Sequence, residues 1–242
     1  MTACLRPDWP APPTVRAVVT LRDGGASSGP YASLNLATHV GDRPDAVAAN
    51  RARLANALQL PSQPCWLEQV HGNACVGAVP AASTPPVADA AWTVTAGVVC
   101  AVLTADCLPI LLCDRAGTSV AAVHAGWRGL ANGIIPNAVN CLPASRGLIA
   151  WIGPGIGPLA YRVDDGFRER FLALESGYNG AFLRHPDGWH CDLGAIATHQ
   201  LRAAGVEMVL RYSGCNHAEP QRFFSHRRDG MCGRFASLIW LA

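Results

Sequence analysis

Hydrophobic positions along the chain follow two patterns, and each pattern predicts one kind of element. Short runs that are apolar at nearly every position and end in turn-forming residues are typical of strands in a sheet covered on both faces. These runs span residues 15–20, 66–70, 98–104, 110–113, 119–123, 148–152, 208–212 and 235–241. Apolar residues recur at helical spacing over residues 47–60, 129–142, 164–174 and 193–203, which predicts four helices. Asp42 is the predicted N-cap of the first helix.

The order of these elements predicts an α/β fold, a single-domain sandwich of helices around a mixed β-sheet. Half of the 242 residues are hydrophobic and 15% are charged, a composition that supports a sizeable core and excludes a disordered chain. Neither an internal repeat nor a low-complexity linker interrupts the sequence. We therefore expect one domain over residues 1–242.

The charge balance excludes a broad surface for binding polyanions. Nineteen Lys and Arg residues against 17 Asp and Glu residues leave a net charge of +2, so we expect no nucleic-acid partner. An anion site would have to be local. It would depend on arginine, whose planar guanidinium group suits phosphate and carboxylate.

The ten cysteines do not predict a disulfide framework. The first 20 residues contain no apolar segment of signal-peptide length, and no apolar run reaches the length of a membrane span. We therefore expect a cytoplasmic protein with reduced thiols and no membrane partner. The chain has no C-x-x-C pair, which argues against a zinc finger or a thioredoxin-like redox site. The possibility that one cysteine is a reactive thiolate stays open.

Three predicted strands end in a side chain that can bind a metal, namely His71, Cys107 and His124. Ligand sites of α/β folds gather just past strand ends, so these side chains could converge at one edge of the sheet. Two imidazoles and a thiolate would form a zinc site with an open fourth position, the catalytic type of site. The spacing matches no compact metal motif, and a structural role for each residue stays open.

Arginines form a second group of candidates. Arg22 precedes a Gly-Gly turn, Arg128 lies at a predicted helix start, and Arg227 follows two phenylalanines. A helix start with glycine and arginine can hold phosphate or carboxylate. The alternative is that these arginines only pair with carboxylates such as Asp106 or Asp229.

Motifs along nearly the whole chain resemble the YfiH family. They are Arg22 with Gly24 and Gly25, residues 31–36, His39 with Gly41 and Asp42, Asn50 with Arg51, the segments around the three candidate metal ligands, and residues 153–158, 223–229 and 233–234. Members of this family have been described as polyphenol oxidase or laccase-domain proteins and as purine nucleoside phosphorylases.

The resemblance implies an α/β sandwich and a zinc ion held by His71, Cys107 and His124, which would also be the catalytic residues. Cu²⁺ would be an occasional substitute. It implies phosphorolysis of adenosine, inosine and 5′-methylthioadenosine, with adenosine deaminase as a side activity. The expected partners are purine nucleosides and phosphate, with no obligate protein partner. The resemblance also supports a set of substrate- or phosphate-binding residues: Arg22, Asn35, His39, Gln69, Arg128 and Arg227.

Other functions use the same residues. A copper polyphenol oxidase would need further imidazoles, and the chain has eight histidines with no His-x-His pair. Metal-free catalysis could use Cys107 as the nucleophile and His124 as the base, for example in a hydrolase that edits peptidoglycan precursors. A binding module would hold the nucleoside without turning it over.

Overall fold

A computed structural model of the chain describes residues 4–80, 83–143 and 147–242, and it has the mixed α/β fold that the sequence predicts. Its strands are β1 Cys4–Leu5, β2 Val15–Thr20, β3 Cys75–Gly77, β4 Ala90–Thr93, β5 Cys100–Thr104, β6 Leu108–Asp114, β7 Val120–Ala125, β8 Leu148–Ile152, β9 Arg162–Val163, β10 Phe182–His185, β11 Gly188–Cys191, β12 Met208–Arg211 and β13 Phe235–Leu241.

The helices lie mainly between strands of the second half of the chain. They are α1 Pro44–Leu58, α2 Trp127–Ala131, α3 Ile134–Cys141, α4 Asp165–Leu174, α5 Leu193–Ala203 and α6 His226–Asp229. Short 3₁₀ helices cover Gly29–Tyr31, Pro158–Ala160 and Ser176–Ala181. In the part of the chain that the structure describes, no helix has the length and apolar character needed to cross a bilayer.

The strands form three sheets. The central sheet is mixed and has the order β12-β8-β6-β7-β4-β3, and a second sheet has the order β1-β2-β13-β5. A small third sheet contains β10, β11 and β9. At the centre of the first sheet, β6 and β7 are antiparallel, with Leu108 opposite Ala125. This pairing brings the start of β6 to the end of β7.

The central sheet is covered differently on its two faces. Ile110 and Leu112 of β6 pack with helix residues such as Ile196, whereas Leu111 between them packs with the second sheet, for example with Phe235. One face is thus covered by helices, and the other by a sheet rather than by the helices that the sequence predicts. The two covers are equally apolar, so the runs in the sequence do not distinguish them.

Three local predictions are wrong. Residues 66–70 form no strand and make only an isolated bridge at Glu68. The predicted helix 129–142 is two helices, because Gly133 has a left-handed conformation with φ of 82°. Asp42 is not the N-cap of α1, which is Arg43. The Asp42 carboxylate is occupied by hydrogen bonds from the side chains of Ser27 and Asn35.

Candidate metal centre

His71, Cys107 and His124 lie together at one end of the central sheet. Cys107 directly precedes β6, and His124 lies in β7 opposite Pro109. One ligand atom from each of the three side chains lies within 4.8 Å of the others. The two imidazole rings meet edge to face, with 4.8 Å between their centroids. The fold therefore brings the three predicted ligands to one place.

His71 is positioned by a turn that closes around a buried carboxylate. The backbone N–H groups of Val70, His71 and Gly72 donate to Asp89 at 3.3, 3.0 and 2.6 Å. Asp89 has no solvent exposure. His71 itself has φ of 59°, a conformation that residues other than glycine seldom adopt. The three hydrogen bonds hold this conformation in place.

The same carboxylate orients His124. The Nδ1 atom of His124 lies 2.7 Å from Oδ1 of Asp89, and an ionised carboxylate can only accept, so Nδ1 carries the hydrogen. Burial opposes ionisation of Asp89, but the hydrogen bonds from His124 and from the turn lower its pKa. With the hydrogen of Nδ1 held by Asp89, Nε2 of His124 is the nitrogen available to a metal, the arrangement found behind metal-bound imidazoles.

The surroundings of Cys107 favour its thiolate form. Burial raises the pKa of its thiol, but the positive charge of His124 and hydrogen bonds from His124 and His71 outweigh burial and lower the pKa to about 6. In turn, burial disfavours a charged His124, but Cys107 and Asp89 raise its pKa to about 9. Without a metal, the two residues form a thiolate–imidazolium pair. A thiolate and two imidazoles are donors that suit zinc.

The residue before Cys107 is held by the C-terminal part of the chain. Asp106 has φ of 94°, which is rare for a residue with a side chain. Its carboxylate accepts hydrogen bonds from Asn216, from the Ser225 hydroxyl at 2.6 Å and from the backbone N–H of Arg227 at 2.6 Å. Segments distant in sequence thus position the thiol.

A cavity of about 460 Å³ opens beside the three ligands. Four of the predicted substrate- or phosphate-binding residues line it, and two do not. Those that line it are His39, Gln69, Arg128 and Arg227. Arg22 and Asn35 are the two that lie elsewhere.

Arg22 and Asn35 have structural contacts instead. Arg22 donates to the carbonyl oxygens of Ala32 and Pro220, and its guanidinium stacks 4.7 Å from the ring centre of Phe224. Asn35 is fully buried, and its side chain bonds to backbone atoms and to Asp42. These two residues thus do not line this cavity, and their role in binding substrate stays a prediction.

Gln69 and His39 both line the cavity, but they differ in whether their polar atoms are available to a ligand. The side chain of Gln69 both donates to and accepts from the backbone of Leu103, at 2.8 and 2.7 Å, so its polar atoms are occupied. Burial and the charge of Arg234 lower the pKa of His39. His39 is therefore a neutral imidazole in a positively charged environment.

Arg128 and Arg227 line the cavity and have guanidinium donors for an anion. The guanidinium carbon of Arg128 lies 4.4 Å from the ring centre of Trp127, and its side chain makes no hydrogen bond to another described residue. The guanidinium carbon of Arg227 lies 5.0 Å from the ring centre of Tyr161, and the group makes one long hydrogen bond, 3.3 Å, to the carbonyl of Arg162. Both guanidinium groups therefore keep donors without a partner among the described residues.

Several residues of the site do not appear among the sequence predictions. Asp89 is the most important, and its signal was a lone acid inside the apolar run 87–92. Trp127, Tyr161 and Arg234 also line the cavity. Trp127 and Arg234 lie in segments that resemble the family, but nothing in the local sequence distinguishes Tyr161 from a core or surface residue.

Comparisons with known proteins identify the family. The family described as multi-copper polyphenol oxidoreductase laccase matches residues 16–242. The chain belongs to this family. Purine nucleoside phosphorylase YfiH of Escherichia coli (strain K12) is 46% identical over 242 residues, which are all of this chain and all of that protein. Purine nucleoside phosphorylase PA4543 of Pseudomonas aeruginosa is 47% identical over 245 residues, with 100% and 99% of the two chains covered. The resemblance to the YfiH family is confirmed.

Solved structures of the family share this fold. The crystal structure of protein NMB0706 from Neisseria meningitidis has a TM-score of 0.94 and 44% identity, and 98% of each chain is covered. YlmD from Geobacillus stearothermophilus has a TM-score of 0.90 and 34% identity, with 98% of this chain and 96% of that chain covered.

Proposed function

We propose that this chain is a purine nucleoside phosphorylase that holds zinc on His71, Cys107 and His124. The observation that carries the proposal is one cavity that combines this ligand set with two arginines that have free donors, Arg128 and Arg227. The names of the full-length relatives support the reaction class. The proposed substrates are adenosine, inosine and 5′-methylthioadenosine with phosphate, and adenosine deamination is the proposed side activity.

Phosphorolysis needs an anion beside the sugar and a place for the base. A phosphate oxygen attacks the anomeric carbon, the bond from that carbon to the purine nitrogen breaks, and the base leaves with the bonding electrons and then gains a proton. Arg128 and Arg227 would hold the phosphate through paired N–H donors. The rings of Trp127 and Tyr161, over which Arg128 and Arg227 stack, give the cavity an aromatic wall that a purine would contact.

The remaining groups position these residues and supply charge. When bound, zinc would supply a Lewis acid at the cavity wall. Asp89 holds the imidazole of His124 and the backbone of His71, and His39 as a neutral imidazole can donate or accept one hydrogen bond at the cavity. The residues fit zinc because the donor set is imidazole and thiolate and because a buried carboxylate supports the His124 ring.

A second candidate is metal-free hydrolysis with Cys107 as the nucleophile. The lowered pKa of Cys107 and the raised pKa of His124 favour it, since they describe a nucleophile next to its acid–base partner. Peptidoglycan-precursor editing would belong to this class. Copper-dependent phenol oxidation is the third reaction to be tested, because the family description names it.

The test measures metal content and products of protein purified without a nickel column. We expect about one zinc at this site, release of free purine only with phosphate, loss of activity in a chelator and recovery with Zn²⁺. Cys107→Ser should abolish both metal binding at this site and turnover. The matched control is Cys141→Ser, a partly buried thiol outside the cavity that donates to a backbone carbonyl.

Each other outcome contradicts the proposal. Full phosphorolysis by Cys107→Ser would remove both the metal and the nucleophile roles of this residue. Phosphate-independent hydrolysis by the chelated protein would favour cysteine catalysis. Oxygen consumption with a phenol after copper loading, without purine release, would favour the oxidase.

A further inference from the structure

A second group of metal-binding side chains lies on the hairpin formed by β10 and β11. His185 ends β10, Asp187 lies in the turn, and His190 lies in β11. One ligand atom from each lies within 4.8 Å of the others. None of the three lines the cavity of the first centre. We propose that this hairpin binds a divalent transition-metal cation, with Zn²⁺ as the best match to its ligands.

His190 is the fixed member of the group. It is 5% exposed, and its Nδ1 lies 2.9 Å from the carbonyl oxygen of Pro158. A carbonyl oxygen only accepts, so Nδ1 carries a hydrogen. This hydrogen bond from the far nitrogen to a backbone carbonyl is the support that metal-binding histidines normally have. Nε2 is the atom left for a ligand, and it points at Asp187, 2.9 Å from Oδ1.

When His190 is neutral, its Nε2 atom has no hydrogen-bond donor at Asp187. In neutral His190, Nε2 carries a lone pair and faces a carboxylate oxygen that also only accepts. His185 brings a second imidazole nitrogen to the same oxygen, with Nδ1 at 2.6 Å from Oδ1. The two rings are 4.9 Å apart between centroids. A cation shared by the two nitrogens and the carboxylate would give Nε2 of His190 the partner that it lacks.

The distances suit a small cation after minor side-chain rotation. Ligand atoms around a tetrahedral zinc lie about 3.3 Å apart, as follows from bonds of about 2.0–2.1 Å. The contacts of 2.6 and 2.9 Å must therefore lengthen by less than about 1 Å. The His185 and Asp187 side chains are 52% and 51% exposed, so they are free to rotate toward a metal at His190.

The ligand set also distinguishes this site from the first centre. It contains two nitrogens and one oxygen and no sulfur. Cobalt(II) bound here would lack the thiolate-to-cobalt charge-transfer absorption expected when Cys107 is a ligand. The alternative occupant is a proton on a histidine, which would leave only an ion pair with the half-exposed Asp187 carboxylate, and such pairs contribute little to stability.

The experiment counts Zn²⁺ equivalents in the full chain after removal of metal with a chelator. We expect two equivalents for the wild type and one for the His71→Ala/Cys107→Ala variant, which lacks the first centre. Adding Asp187→Ala to that variant should weaken the remaining binding at least tenfold, and so should His185→Ala. His199→Ala on α5 is the matched control, since it removes an exposed histidine outside both clusters.

The stoichiometries separate this proposal from the proposed function. One equivalent that survives in the double variant supports the hairpin site even if the wild type binds no second ion. One equivalent in the wild type and none in the double variant overturns the hairpin site and leaves the first centre intact. Thiolate-to-cobalt absorption in the double variant, or unchanged binding on Asp187→Ala, also overturns it. Asp187 and His185 are exposed, so their variants are expected to fold.

Discussion

Asp89 accepts a 2.7 Å hydrogen bond from Nδ1 of His124 while the backbone N–H of His71 donates to the same oxygen at 3.0 Å. One buried carboxylate therefore determines the ring orientation of one candidate ligand and the backbone conformation of another. A change at this residue therefore affects two candidate ligands, the first through its ring and the second through its backbone.

We expect Asp89→Asn to weaken zinc binding about 10- to 100-fold, the usual cost of losing such a supporting carboxylate. The amide keeps the size of the side chain but loses the charge that orients His124. The measurement is a zinc competition titration of the purified variant. Asp114→Asn is the control, because Asp114 is also buried and accepts bonds from Thr118 and Ser119 in a turn outside the site. It should lose stability and keep its metal affinity. Equal metal affinity in both variants would show that Asp89 does not support the centre.

Gly126 leaves room for the ligands. A methyl group at this position would lie 2.8 Å from Sγ of Cys107 and 3.1 Å from Cδ2 of His71. The backbone, with φ of −78°, accepts alanine without strain. We expect Gly126→Ala to displace the thiol and to lower zinc affinity about tenfold or more, as seen when ligand support is lost. Gly180→Ala, which meets no atom within 4 Å, is the control. Unchanged affinity in Gly126→Ala would mean that Cys107 and His71 need not approach this closely.

The pH dependence of Cys107 reactivity tests its ionic state. With a pKa of about 6, most of this thiol is ionised at neutral pH, whereas an ordinary thiol with a pKa of about 8.5 is only a few per cent ionised. In metal-free protein we expect alkylation of Cys107, followed by mass spectrometry, to rise with pH around a midpoint near 6. Zn²⁺ should block it. Burial raises the pKa of Cys113 and Cys191 to about 12, so neither should react in this range. A midpoint near 8.5 would contradict the thiolate–imidazolium pair.

The arginines separate into two classes with different expected defects. Loss of a charge-assisted bond costs about 1.5–3 kcal/mol, so Arg128→Ala and Arg227→Ala should weaken phosphate use about ten- to a hundredfold. Lysine at either position should also impair it, because a point charge does not reproduce the guanidinium fork.

Arg22→Ala is the matched comparison. Its guanidinium bonds to backbone carbonyls outside the cavity, so we expect a lower Tm and an unchanged phosphate KM. Phosphate kinetics and thermal unfolding on the same three variants check both expectations. A raised phosphate KM in Arg22→Ala alone would reverse the assignment.

Elements with strong local signals were predictable from the sequence. The runs 15–20, 148–152 and 235–241 are strands with those bounds, and 193–203 is a helix with those bounds, because apolar periodicity and turn residues act within a few positions. Residues 66–70 show the limit of that signal. Their backbone does not pair along a neighbouring strand. Instead, the side chain of Gln69 makes the hydrogen bonds to the backbone of Leu103.

The sequence by itself determined the α/β pattern and the kinds of side chain available to the site, since both depend on residue type and spacing. Only the tertiary structure decided which arginines reach the cavity, and that Asp89 bonds to both the His124 ring and the His71 backbone. Arg22 and Arg128 have similar glycine-rich surroundings in the sequence, but the carbonyls that occupy Arg22 come from Ala32 and Pro220. Likewise, His190 acquires its orientation from Pro158, 32 positions away. Hydrogen bonds between distant segments depend on how the chain packs, so they cannot be predicted from the local sequence.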